Sequence, residues 1–315
     1  MYTRFTIIYY LEYTRVIMLN LTKKFQKIAN GETLAYVEAG DAKKKTLLLV
    51  HGNFSGSLHF VRAIKNLSPH FHILAADMRG FGDSTYNKRI KTLKELGDDL
   101  ILFLDAKKVD KAYVLGWSLG GGVVMEMAAH HPKRVEKLVL VASTTHKGYP
   151  VFKKDANMQP ILGATYASPE EMGTDPVQVL PLLMAQKNQD FDGMNAAFGA
   201  MFIIQPEEEE RKVMIKESLK QKNLIDADWA ISGINMSSEP SAYNPGEGTV
   251  KNIKCPVLHL WGLEDIWLAP EYMTLDNYNA LKNQSKLIRY PNCGHMIFID
   301  AEKESTKDIV DFLNA

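Results

Sequence analysis

The sequence predicts an α/β protein built on one doubly wound, mostly parallel sheet with a helical insertion. Strand-length apolar runs recur along the chain, helical patterns lie between them, and one long stretch breaks the alternation. Near-continuous runs of β-branched and Leu residues suit strands buried on both faces of a parallel sheet. Six such runs end in Gly or a polar turn: Thr46–Val50, His72–Met78, Ala112–Gly116, Lys137–Ala142, Pro256–Trp261 and Lys286–Tyr290.

The helices follow from spacing and caps. Thr92 with Glu95 forms a capping box, after which Leu93, Leu96, Leu100 and Leu104 repeat at helical intervals. A second helix runs from Gly120 toward His130, with Val123, Val124 and Met127 inward, and stops before Pro132. Ile309, Val310 and Phe312 mark a last one. Strands alternating with helices imply right-handed crossovers and a single sheet.

Residues from about 147 to 250 carry no convincing buried strand and are rich in Met, Gln, Glu and Pro. A helical insertion between the strands at 137–142 and 256–261 accounts for this. It would sit where strand carboxyl ends emerge, and so roof whatever site the sheet presents. The acidic run Glu207–Glu210 reads as a solvated helix face. The expected organisation is a core of residues 21–145 and 251–315, a cap of residues 146–250 and a poorly ordered leader of residues 1–20. The leader's longest apolar run, Ile7 to Leu11, falls far short of the roughly 20 residues a membrane helix needs. Glu12 and Arg15 interrupt it and no small-residue cleavage site follows, so a secretory signal is not expected. Upstream sequence before a start at Met18, or a segment docking on the body or a membrane surface, are the other readings.

At 315 residues, with 46% hydrophobic and 23% charged, the composition is that of a globular domain. Lys plus Arg equals Asp plus Glu at 37 each, so no global field favours nucleic acid or anionic lipid. Cys255 precedes one strand and Cys293 follows its parallel neighbour, at opposite ends of the sheet. That exceeds the roughly 7 Å a disulfide tolerates, so free thiols and a cytoplasmic location are expected. The expected partner is a small molecule, bound by a monomer or homodimer.

The chemistry sits at strand exits. Gly116-Trp117-Ser118-Leu119-Gly120 follows one strand and opens a helix. A serine on such a tight turn is strained and projects above the sheet edge, and only glycines fit beside it. A hydroxyl is a poor nucleophile at neutral pH and needs a base that an acid orients. The strand Pro256–Trp261 runs into Gly262-Leu263-Glu264-Asp265, and Lys286–Tyr290 runs into Pro291-Asn292-Cys293-Gly294-His295. Acid and imidazole thereby reach the same sheet edge as Ser118. Asp265 is the favoured acid and Glu264 its rival. Oxyanion donors are expected from the backbone N–H of Leu119 and, after Thr46–Val50, of Asn53 in His51-Gly52-Asn53-Phe54-Ser55.

With Asp77-Met78-Arg79-Gly80-Phe81-Gly82-Asp83-Ser84 added, these segments resemble the landmarks of the α/β-hydrolase superfamily in order and spacing, over about residues 28–145 and 250–315. The resemblance implies a mostly parallel eight-stranded sheet, a helical cap over residues 146–250 and a triad of Ser118, Asp265 and His295. It also implies no diffusible cofactor and no metal. The segment Ile266-Trp267-Leu268-Ala269-Pro270 departs from the commoner form, its proline falling one place later. Dehalogenases and epoxide hydrolases of the superfamily need a carboxylate where this chain has Ser118.

The function expected is hydrolysis of an ester of a small to medium, largely apolar molecule through an acyl-enzyme. Lactonase, C–C bond hydrolase, thioesterase, acyltransferase and slow-turnover ligand receptor are the alternatives that share the triad. Phe54, Trp117, His146 and Trp267 are the expected substrate contacts. Met158, Met172, Met184, Met194, Phe198, Met201 and Phe202 form either an adaptable pocket or a packing face between cap helices.

Overall fold

A computed structural model of the chain describes residues 21–315; the expected leader, residues 1–20, lies outside them. Among the described residues eight strands form one sheet: β1 Lys24–Lys27, β2 Thr33–Ala39, β3 Thr46–Val50, β4 His72–Ala76, β5 Ala112–Trp117, β6 Val135–Val141, β7 Val257–Gly262 and β8 Ser285–Tyr290. Their spatial order is β1-β2-β4-β3-β5-β6-β7-β8. Only the β1–β2 and β2–β4 pairs are antiparallel; all the others are parallel.

Side-chain alternation explains why the strands read as continuous apolar runs. On β3, Leu47 and Leu49 enter one core while Leu48 and Val50 enter the other. β4 divides the same way, with Ile73 and Ala75 on one face and Leu74 and Ala76 on the opposite one. Each face therefore needs its own cover of helices. The first face receives α1 (Val61–Leu67) through Ala63, Ile64 and Leu67. The second is covered by α2 (Leu93–Ala106) and α3 (Leu119–His130), whose Leu96, Leu100, Val123 and Met127 are buried there. The Thr92 hydroxyl caps α2 by accepting from the Glu95 N–H at 3.4 Å.

Between β6 and β7 the chain forms α4 (Pro169–Met172), α5 (Leu180–Lys187), α6 (Phe191–Phe198), α7 (Glu208–Leu219) and α8 (Leu224–Gly233). Past β7 come α9 (Glu271–Ala280), α10 (Ile297–Asp300) and α11 (Glu302–Asn314), the last sealing the first face with Ile309 and Leu313.

Ion pairs hold the α4–α8 segment to the sheet domain. Arg62 spans Glu210 at 2.8 Å and Glu302 at 3.0 Å, Arg89 holds Asp226 at 2.6 Å, and Lys23 links Glu217 with Asp77 and Asp83. This corrects the reading of Glu207–Glu210 as wholly solvated. Glu208 and Glu209 face water, but Glu210 is buried against Arg62 because the guanidinium satisfies its carboxylate. Cys255 and Cys293 are free thiols. Among the described residues no helix is long and apolar enough to cross a membrane.

Candidate active site

Ser118 occupies the single residue between β5 and α3, at φ 57° and ψ −123°. Such backbone costs an L-residue about 1–3 kcal/mol and persists only where its surroundings over-determine it. Here the Ser118 N–H donates to the Val141 carbonyl at 3.0 Å, and the Ser118 carbonyl accepts from Gly121 and Thr144 at 2.9 and 3.2 Å. Close packing supplies the rest. A Cβ on Gly120 would lie 2.3 Å from the Val50 carbonyl oxygen, so the helix start sits directly on the end of β3.

The loops after β7 and β8 bring a buried carboxyl–imidazole pair to the same end of the sheet. The Asp265 Oδ2 and His295 Nδ1 lie 2.6 Å apart, both side chains almost fully buried. The second Asp265 oxygen accepts the Ala269 N–H at 3.0 Å, and the Trp261 indole N–H holds the Ala269 carbonyl at 2.9 Å. With the later proline, Pro270, capping α9, this loop still closes on the carboxylate. Glu264, the rival acid, is exposed. Asp265 fixes the imidazole with Nδ1 protonated, which leaves Nε2 as a base. His295 Nε2 and the Ser118 hydroxyl have no hydrogen-bond partner among the described residues, and both residues line one cavity.

The loop after β3 closes the other side. His51, pushed down to about 4 by burial, is a neutral linker: Nδ1–H donates to the Gly52 carbonyl at 2.8 Å and Nε2 accepts the Met78 N–H at 3.0 Å. Gly52 permits the loop's approach, since a Cβ there would lie 2.8 Å from the Ser118 Cβ. Phe54 stands at φ 50° with its N–H donated to the Gln221 Oε1 at 2.9 Å. The N–H groups of Asn53 and Leu119 reach no acceptor among the described residues. An oxyanion formed at Ser118 would find both donors unspent.

The cavity measures about 310 Å³. Its wall is largely apolar, from Phe54, Val151, Val177, Leu182, Met201, Ile231 and Leu268, with Tyr149, Gln178, Asn53 and Asp228 as polar exceptions. Of the expected substrate contacts, Phe54 lies in this wall and three do not. Trp117 is fully buried behind Ser118, stacked near His59, and its indole N–H holds the His295 carbonyl at 3.0 Å. As the last residue of β5 it follows Tyr113 and Leu115 into the core face. His146 is buried with its N–H and Nδ1 on the Asn277 amide oxygen. Trp267 points outward, 79% exposed, while its neighbour Leu268 lines the cavity. Among the named Met and Phe residues only Met201 lines it; Met172, Met194, Phe198 and Phe202 are core, and Met158 and Met184 are exposed.

Asp228 was not anticipated. Its Oδ1 accepts from the Asn53 Nδ2 at 2.8 Å, and Gln221 Nε2 donates to the Asn53 Oδ1 at 2.8 Å, so α8 and the turn before it grip the Asn53 side chain. A signal was present in the sequence: Asp228 shares the inward stripe of Leu224, Ala227 and Ile231, an acid on an apolar face. Burial pushes its carboxyl up to about 7, against the hydrogen bond from Asn53. Because the folded value is raised, the stabilising contribution is complete below the unfolded value and is lost as pH rises through about 7. Asp228→Asn keeps an acceptor for Asn53. It should therefore stabilise the protein at pH 8, by at most about 4 kcal/mol, and raise its Tm there relative to the parent, with little effect near pH 4. Parallel Tm–pH profiles for the two proteins would show that Asp228 is not held protonated.

A family model described as alpha/beta hydrolase fold matches residues 45–302. A pimeloyl-[acyl-carrier protein] methyl ester esterase of Vibrio atlanticus (strain LGP32) is 27% identical over 267 residues, 84% of this chain and 93% of the relative. Lipase 1 of Psychrobacter immobilis is 26% identical over 297 residues, 93% and 84% of the two chains. The solved structure of the esterase EaEST from Exiguobacterium antarcticum superposes with a TM-score of 0.71 at 16% identity, covering 93% of this chain and all of its own.

Proposed function

The chain belongs to the alpha/beta hydrolase fold family, and on that premise we propose that it hydrolyses carboxylic esters with Ser118 as nucleophile. The observation that carries this reading is the buried Asp265–His295 pair at 2.6 Å, open through Nε2 to the cavity that Ser118 lines at a strained φ. The esterase and lipase names of the relatives agree with it.

In the proposed sequence the Ser118 oxygen attacks the carbonyl carbon as His295 Nε2 takes its proton. Asp265 holds the imidazole in register and offsets the charge it gains. The oxyanion accepts from the N–H groups of Asn53 and Leu119. His295 then protonates the departing alkoxide, leaving an acyl group on Ser118. A water molecule gives its proton to His295 and attacks that acyl carbonyl, and Ser118 leaves with the proton restored. Asp228 and Gln221 act through Asn53, as positioning residues for one donor.

Residues 146–250 serve as the cap in this reading, since Tyr149, Val151, Val177, Leu182, Met201 and Ile231 give the cavity its apolar wall. Burying each further methylene against such a wall is worth about 0.8 kcal/mol until the space is filled. A p-nitrophenyl ester series from acetate to laurate tests this. The expected kcat/KM climbs from acetate to the medium chains and falls at laurate, which outgrows about 310 Å³. No turnover across the series, with marked thermal stabilisation by a single ester, would replace the esterase reading with that of a ligand receptor.

A further inference from the structure

A second cluster of donors lies on α3, about 12 Å along the helix from the nucleophile. Glu126 and His130 are spaced i, i+4 and so share one helix face. Glu126 is 5% exposed and lines a cavity of about 210 Å³ with Thr92, Lys94, Asn244 and Glu247. Its Oε2 and the His130 Nε2 are both buried and have no hydrogen-bond partner, although they stand 3.1 Å apart. The chain returning toward β7 brings Glu247, and donor atoms of all three residues fall within 4.8 Å of one another.

Two buried polar atoms facing each other without hydrogen-bond geometry are costly, because each leaves its bonding capacity unmet. A shared cation removes that cost. Donors at roughly 2.0–2.2 Å from one ion stand about 3.0–3.5 Å from each other, the spacing of this pair. The Lys94 ammonium, on the rim of the same cavity, is held by Asp98 at 2.6 Å.

We propose that Glu126, His130 and Glu247 form a binding site for a divalent transition-metal ion of the zinc class, clamping α3 to the segment that leads into β7. One imidazole and two carboxylates suit such an ion better than Mg²⁺ or Ca²⁺, which take oxygen ligands alone. The position is structural, since no donor lines the cavity of Ser118.

The test titrates the chelator-treated, tag-free full chain with ZnCl₂, reading stoichiometry by calorimetry and Tm by scanning fluorimetry. The expected result is one Zn²⁺ per chain and a Tm that rises with Zn²⁺ but not with equal MgCl₂. Glu126→Gln and His130→Gln should each abolish the Tm rise. Glu247→Gln, at an exposed position that leaves folding intact, should weaken the affinity at least about tenfold. Absence of Zn²⁺ binding by the parent overturns the proposal. So does binding that Glu247→Gln leaves unchanged, since the clamp to the segment leading into β7 requires that carboxylate.

Discussion

Ser118→Ala is expected to lower kcat on activated esters by about 10⁶-fold while the protein stays folded. The loss is this large because the acyl-enzyme route needs the hydroxyl that Ser118 supplies. His295 and the two N–H donors remain, and they still leave some rate above the uncatalysed reaction. Stability should change little, because alanine meets the same backbone penalty as serine at φ 57°. Ser118→Gly makes the complementary case: equally inactive, yet more stable by about 1 kcal/mol, since glycine adopts that conformation freely. If both variants were destabilised alike, the strained turn would not be where folding energy is stored. Substantial residual turnover in both would require another nucleophile.

Asp265→Asn should cost about 10⁴-fold in kcat with a folded, substrate-binding protein. The substitution is close to isosteric, and the amide oxygen can still accept the Ala269 N–H. What changes is the group facing His295. A carboxylate holds the proton on Nδ1, whereas an amide N–H turned toward Nδ1 forces the proton onto Nε2. In that tautomer the imidazole cannot accept the Ser118 proton. KM should move far less than kcat. Glu264→Gln is the control, expected to be near neutral because that side chain is exposed. A reversed pattern, Glu264 mattering and Asp265 not, would reassign the acid.

The central strands and the chain positions of Ser118, Asp265 and His295 were legible because β3 to β7 are buried on both faces, and continuous apolar runs report that directly. β1 and β2 gave no such signal. β1 is four residues long, mostly exposed, and among the described residues pairs only along one edge. β2 lies in the antiparallel part of the sheet, and its last residues, Glu38 and Ala39, are only half-buried. The cavity wall was the least readable part, for a geometric reason. Side chains reach it from short helices and loops of the 146–250 segment, where no long periodic stretch fixes which face turns inward. Trp117 is different, since strand alternation from Tyr113 and Leu115 already aimed it at the core. Its place beside the nucleophile in sequence was the misleading cue. Glu210 misled through its neighbours: an acidic run reads as solvent-facing, yet one helical turn puts its fourth member against Arg62.

A fluorophosphonate ester, which serine nucleophiles attack at phosphorus with loss of fluoride, gives the sharpest outcome. Intact-mass spectrometry after exposure should show one adduct per chain, and peptide mapping should place it on Ser118. Asp265→Asn should label far more slowly, and Ser118→Ala should not label. An adduct on any other residue, or an active esterase that resists the reagent, would contradict Ser118 as the nucleophile.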